Sequence, residues 1–306
     1  MSLSNYLFYL IKPLIPRPVQ ILFRRKLARS KRKKYRDSWP INEKAAILPM
    51  HWKGWPEGKQ FAWILQHDVD TKKGHDNCRK LMDIEEELGV RSCFNIVPER
   101  YTVSYQLLEE IKNRGFGLGV HGLKHDGKLF ESYNGFKENA RKINYYLHTW
   151  NVRSFSAPSM ISRLEWMHHL DIDFSTSTFD TDPYEPQPTP SNTIFPFMVP
   201  DNNGKHCFVE LPYTLPQDFT LFIILKESTI DIWKDKLSWI ARKGGMALMN
   251  VHPDYINFSN TKCSMQEYPV KYYKDFLAFA KNEFQGRFWH VLPEKMAKFW
   301  LESVGR

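Results

Sequence analysis

Gln66-His67-Asp68-Val69-Asp70-Thr71, followed downstream by His121-Gly122-Leu123-Lys124-His125, is the stretch from which the fold and the chemistry of this chain are read. The apolar run from Phe61 to Leu65 just before it has the character of a buried strand. The two carboxylates therefore fall just past a strand end, where α/β proteins hand over to active-site loops. One carboxylate and two imidazoles give three ligands for a divalent cation and leave a coordination position open for water. That is the layout of a hydrolytic rather than a structural zinc site. The second carboxylate is then spare to act as a base.

Outward from this stretch, apolar periodicity alternates along the chain. Strands are expected at 61–66, 92–97, 116–120, 152–155, 172–177, 246–251 and 288–292. Helices are expected at 77–88, 107–114, 136–150, 162–170, 230–242, 268–284 and 293–303. Seven strands alternating with helices argue for an α/β fold with a parallel sheet closed into a barrel, or nearly so. The barrel is expected over residues 59–306, with a Pro-rich insertion at 180–218 that carries an extra pair of strands around 195–199 and 207–211. Residues 1–58 are expected to be a basic and apolar arm followed by an irregular cover segment.

The residues able to do chemistry fall at one end of those strands. Asp68 and Asp70 follow the first, His121 and His125 the third, Ala157-Pro158-Ser159 the fourth, Asp180 and Asp182 the fifth, and His252 the sixth. Each has a plain structural alternative. Asp70 can be read as the N-cap of the next helix, His121 and His125 as one stripe of a helix, and His252 as a satisfied buried imidazole. Their convergence on one rim argues for a single site. Gly117-Leu118-Gly119-Val120-His121-Gly122 matches the dinucleotide fingerprint GxGxxG, but its glycines lie within and at the end of a strand and no helix opens at Gly122 to meet a pyrophosphate. The chain has no GxSxG elbow of a serine hydrolase.

At 306 residues, with 42% hydrophobic and 15% aromatic content, the chain can bury a full core. Cys78, Cys93, Cys207 and Cys263 show no CxxC spacing and read as reduced thiols of a cytosolic protein. The net charge of +9 is local: residues 1–36 hold eleven Lys or Arg and no acid, while the rest holds 32 basic against 34 acidic residues. A nearly neutral body speaks against nucleic-acid binding, which needs its basic surface on the folded domain. The arm joins an apolar stretch from Tyr6, broken by Pro13, Pro16 and Pro18, to a basic cluster at 24–36. It is too short and broken to span a bilayer, and its charge follows the apolar stretch instead of preceding it, unlike an export signal. The functional reading is an interfacial anchor on the anionic inner face of a membrane; the bland one is a solubilising arm packed on the domain.

These motifs resemble those of the polysaccharide deacetylase (NodB homology) family. His67-Asp68-Val69-Asp70 is similar to its first motif in the Asp-x-Asp form, and His121-Gly122-Leu123-Lys124-His125 to its His-x-x-x-His second motif. Phe155-Ser156-Ala157-Pro158-Ser159 is similar to the third and Asn250-Val251-His252-Pro253 to the fifth. The resemblance covers about residues 60–292. It implies that family's distorted (β/α)7 barrel and a metal-dependent hydrolase that removes an N-acetyl group from a sugar. It further implies that Asp70, His121 and His125 hold Zn2+ or a similar divalent ion, with Asp68 as general base. The backbone N–H of Ser159 would hold the oxyanion, and His252, oriented by Asp180 or Asp182, would protonate the departing amine.

One departure matters. The family carries an Arg where this chain has Ser156, so the base lacks its cation. Arg163, Lys124 and Lys128 are the candidates to replace it, whereas Arg153, an odd number of residues away along a strand, points to the opposite face. Tyr184, Phe195, Phe197, Tyr213 and Phe219 in and around the insertion are either sugar-stacking side chains or packing for the loop. The expected substrate is an N-acylated saccharide, lipid-linked if the arm lies on a membrane. The alternative from another class is a carbohydrate-binding barrel that keeps the metal without turnover.

Overall fold

The computed structural model describes residues 15–304 apart from 188, 202, 205, 206 and 260. The apolar part of the arm, residues 1–14, lies outside the described residues. Among the described residues helix α1 (Arg17–Lys34) comes first, with Pro18 in its opening turn, where a missing N–H costs nothing. An irregular segment with 3-10 turns at Glu43–Ala46 and Pro56–Gly58 follows. Its Trp52 and Trp55 pack against Phe195 and Trp300, which pins the segment to the body. The chain then runs β1 (Phe61–Val69), α2 (Lys72–Glu87), β2 (Cys93–Ile96), α3 (Tyr105–Asn113), β3 (Gly117–His121), α4 (Tyr133–Thr149), β4 (Ser154–Ser156) and β5 (Phe174–Ser175). After these come β6 (Phe197–Pro200), β7 (Cys207–Glu210), α5 (Asp231–Lys243), β8 (Met246–Asn250), β9 (Ile256–Asn257), β10 (Tyr268–Pro269), α6 (Val270–Glu283), β11 (Phe288–His290) and α7 (Pro293–Val304).

β1 is buried along its whole length because it is paired on both edges. It runs parallel to β8 over Ala62–Gln66, to β11 over Phe61–Trp63 and to β2 over Gln66–Val69. A parallel strand covered on both faces reads as an unbroken apolar run, and β1 turns polar only where it reaches the rim. β2, β3, β4 and β5 continue the sheet in parallel order. Residues 213–215 close it. Phe179 bridges in parallel to Tyr213, Thr214 N and Leu215 N donate to Leu248 O at 3.0 and 3.1 Å, and Leu248 N donates to Thr214 Oγ1 at 2.9 Å. The result is the expected distorted (β/α)7 barrel, with one change of membership. Its seventh stave is 213–215, stopped by Pro216, whereas β11 shares an edge of β1 with β2.

Other departures are local. The helix expected at 162–170 is a 3-10 segment, Leu164–His169. The insertion strands β6 and β7 do pair antiparallel, and β7 also joins the main sheet parallel to β5. Phe219–Leu225, apolar except for Thr220, is a buried π-helical segment that no periodicity announces. Tyr184, Phe195, Tyr213 and Phe219 are buried, with Tyr184 edge-on to Trp39 and Phe195 against Trp52, so they serve packing rather than offering faces to a sugar. All four cysteines are free.

Candidate metal centre and active site

Strand alternation sends Asp68 and Asp70 to one face of β1 and His67 to the other. His67 Nδ1–H donates to Val251 O at 2.9 Å, and its Nε2 meets Glu85 Oε1 at 2.6 Å. These bonds tie β1 to the end of β8 and thereby set where His252 emerges. Asp68 and Asp70 are left facing the rim.

Asp70, His121 and His125 converge there, with ligand atoms all within 4.8 Å of one another. Asp70 Oδ1 lies 3.4 Å from His121 Nε2 and 3.0 Å from His125 Nε2. His121 Nδ1–H donates to Ser156 O at 3.1 Å, so in the neutral ring Nε2 turns a lone pair on a carboxylate oxygen. Two facing lone pairs repel unless a proton or a cation lies between them. Asp70 Oδ1 is also buried without a hydrogen bond. The set therefore fits a divalent cation that takes nitrogen and oxygen ligands. Burial works against charge on Asp70, yet His125, His121 and His252 hold its carboxyl well below the usual range. Burial likewise opposes a charged His121, but Asp68 and Asp70 outweigh it and raise the imidazole.

The loop geometry explains the spacing of the two histidines. Gly122 and His125 both have left-handed backbone, φ 59° and 53°, so 121–125 is a loop rather than a helical stripe. A Cβ at Gly122 would overlap Pro158, which packs the β3 loop against the β4 loop. Asp70 is not the cap of α2. Thr71 holds the cap position without a side-chain cap bond, and Asp254 fixes the turn into the helix from across the rim, accepting from Asp70 N at 3.0 Å, Thr71 N at 2.9 Å and Thr71 Oγ1. Tyr255 Oη donates to Asp70 Oδ2 at 3.4 Å.

Asp68 is buried and held by neutral donors on both oxygens. Asn95 Nδ2 donates to Oδ1 at 2.9 Å and Asn250 Nδ2 to Oδ2 at 2.8 Å, with Ser156 Oγ at 3.4 Å from Oδ2. Among the described residues no Lys or Arg bonds this carboxylate. Arg153 pairs with Asp173 at 2.8 Å and Lys124 faces Glu99 at 4.0 Å. Neither Arg163 nor Lys128 bonds Asp68, so an amide pair stands in place of a cation.

His252 receives its orientation from Asp218, not from Asp180 or Asp182. Its Nδ1 lies 2.7 Å from Asp218 Oδ1, and its backbone N donates to Asp218 Oδ2 at 2.9 Å. Tyr268 Oη holds the same Oδ2 at 3.1 Å. Burial disfavours the imidazolium, but Asp218 overrides it and raises the group to about 10. Asp180 instead accepts from Lys236 Nζ at 2.5 Å, and Asp182 from Tyr184 N at 2.8 Å and Tyr213 Oη at 3.1 Å. Both are wall residues. Ser159, half-buried on the turn after β4, has φ 57°, which turns its peptide relative to the strand that precedes it. Asn95, Asp218, Asp254 and Tyr255 are the residues that sequence reasoning passed over, and Asn250 stood in the fifth motif without a role.

No family model matches this sequence and no curated protein matches it. Solved structures do match the fold. A Mycobacterium smegmatis protein assigned as a polysaccharide deacetylase is 14% identical, covering 83% of this chain and 94% of its own, with a TM-score of 0.62. A Pseudomonas aeruginosa PAO1 protein with the same assignment is 12% identical over 82% of this chain and 94% of its own, TM-score 0.62. The Puue allantoinase is 12% identical over 88% of this chain and 99% of its own, again with a TM-score of 0.62. In fold, this chain is a barrel of the polysaccharide deacetylase type, and its rim carries an Asp-His-His group able to hold a metal ion.

Proposed function

We propose that this protein is a metal-dependent amide hydrolase that removes an N-acetyl or similar acyl group from an amino sugar. The observation that carries the reading is the gathering, on one rim, of Asp70, His121 and His125 with the amide-held Asp68 and the Asp218-paired His252. A divalent cation, Zn2+ by preference for this mixed donor set, would lower the pKa of its water and polarise the acyl carbonyl.

The chain's own residues supply the proton traffic. Asp68 accepts the proton of the attacking water, its carboxylate fixed by Asn95 and Asn250 so that it need not reorganise. As the carbon–oxygen bond forms, the N–H of Ser159 would donate to the developing oxyanion. His252, kept as imidazolium at neutral pH by Asp218, gives its proton to the amine nitrogen as the carbon–nitrogen bond breaks. A free amino sugar and a carboxylate leave. Ser156 O, Tyr255 and Asp254 orient the ligands, while Asp180 and Asp182 shape the wall behind them.

The substrate favoured by this reading is a lipid-linked N-acylated saccharide handled at the inner face of a membrane. The basic arm supports that location: α1 holds nine Lys or Arg and no acid. No helix among the described residues is long and apolar enough to cross a membrane. The test is amine release from a panel of soluble and lipid-linked N-acetylated sugars by the Zn2+-loaded protein, beside Asp68→Asn and His252→Ala. The parent should release amine and each variant should fall by about 10²–10⁴-fold. A metal-loaded parent that is inert across the panel would end the hydrolase reading.

A further inference from the structure

A surface helix of a water-soluble protein turns its apolar stripe inward and its charges outward. Helix α1 buries Ile21 and Ala28, but it turns charge inward beside them and leaves other apolar side chains outside. Arg17 and Arg24 lie 5.5 and 4.8 Å over the Phe219 ring, and Arg25 donates to Ile223 O at 2.8 Å. Lys31 donates to Pro183 O at 2.5 Å one turn further on. The opposite side shows Val19, Leu22 and Leu27, which are 51%, 53% and 49% exposed. At 3.6 residues per turn Leu22 lies about 60° to one side of Val19 and Leu27 about 80° to the other, so the three cover a broad outward sector of the helix. Lys26, Arg29, Lys33 and Lys34 are exposed around and beyond them.

We propose that this outward face of α1 is a docking surface for an anionic lipid bilayer, and that it holds the mouth of the metal site against that bilayer. The second half rests on the hydrolase reading; the first does not. An outward sector that mixes apolar side chains with Lys and Arg matches the headgroup boundary, where the apolar side chains enter and the cations meet phosphates. A second copy of the chain is a poor occupant, because each α1 carries nine basic residues and no acid to balance the other's. The connection to the site is short. Phe219, under the two guanidinium groups, lies 4.8 Å from the tilted ring of Tyr255, whose hydroxyl donates to Asp70. A saccharide carried on a membrane lipid is thereby delivered beside the metal ligands.

The experiment is co-sedimentation of the full chain with vesicles of phosphatidylcholine alone and of phosphatidylcholine with phosphatidylglycerol, beside a Leu22→Glu/Leu27→Glu variant. The parent should bind the anionic vesicles and the variant should lose at least about tenfold in partitioning, with an unchanged circular dichroism spectrum and unchanged turnover of any soluble substrate. His121→Ala should bind vesicles as the parent does, so a failed hydrolase reading and a failed docking surface give different results. Absence of parental binding, or equal binding by the Glu variant, overturns the proposal. So does a parent that is dimeric by light scattering and becomes monomeric in the variant while vesicle binding is untouched, since a second copy would then be the occupant.

Discussion

Asp68 shows how a base can be held without a cation. Arg beside a buried carboxylate brings charge as well as geometry, whereas Asn95 and Asn250 bring geometry alone, one primary amide on each oxygen. Asn250 works twice, because its Oδ1 also accepts from Asp68 N at 3.3 Å. Truncating either amide to Ala should lower kcat by about ten- to hundredfold with little change in KM, since the substrate does not touch it and only the base is loosened. A KM effect with kcat intact would mean that these amides bind substrate instead. Why Asn95 escaped a reading of the sequence, and Asn250 stood in a motif without a role, is physical: Asn neither titrates nor ligates strongly, so a search for charged and metal-binding types passes over it. Asp68, Asp70, His121, His125 and His252 were legible for the opposite reason, each being such a type at a strand end.

At the scale of elements, what was legible was what repeats. Long strands and amphipathic helices carry a period, and β1, β3, α2 and α6 fall close to where that period puts them. The stave 213–215 and the π-helical Phe219–Leu225 carry none, and Asp218 sits between these two, outside any motif. The segment before that stave holds a testable device. Burial, with Glu185 adding to it, pushes the Asp182 carboxyl up to about 8. A raised acid contributes stability in full below its unfolded pKa, near 4, and loses that contribution as pH climbs through its folded value. Asp182→Asn can keep the bond from Tyr184 N and has no proton to lose. Relative to the parent, it should therefore gain at least about 1 kcal/mol between pH 5 and pH 7 in urea titrations. A difference that does not change with pH would show that Asp182 is ionised in the folded chain throughout.

At the scale of the whole molecule, charge and chemistry occupy the same end. The body is nearly neutral and the excess of basic residues lies on one helix, which packs on the rim that holds the metal group. Composition told where the excess lay in the chain but not that α1 is docked, since docking depends on contacts with Phe219, Ile223 and Pro183, far away in sequence. The hydrolase proposed for this barrel depends on whether Asp70, His121 and His125 hold a metal. Elemental analysis of the purified protein beside His121→Ala tests that most directly. About one divalent ion per chain in the parent and a loss of it in the variant is the expected result, because three converging ligands reduced to two no longer compete with water. A parent that carries no divalent ion, and takes none up from added Zn2+, would contradict the metal centre and the hydrolase built on it.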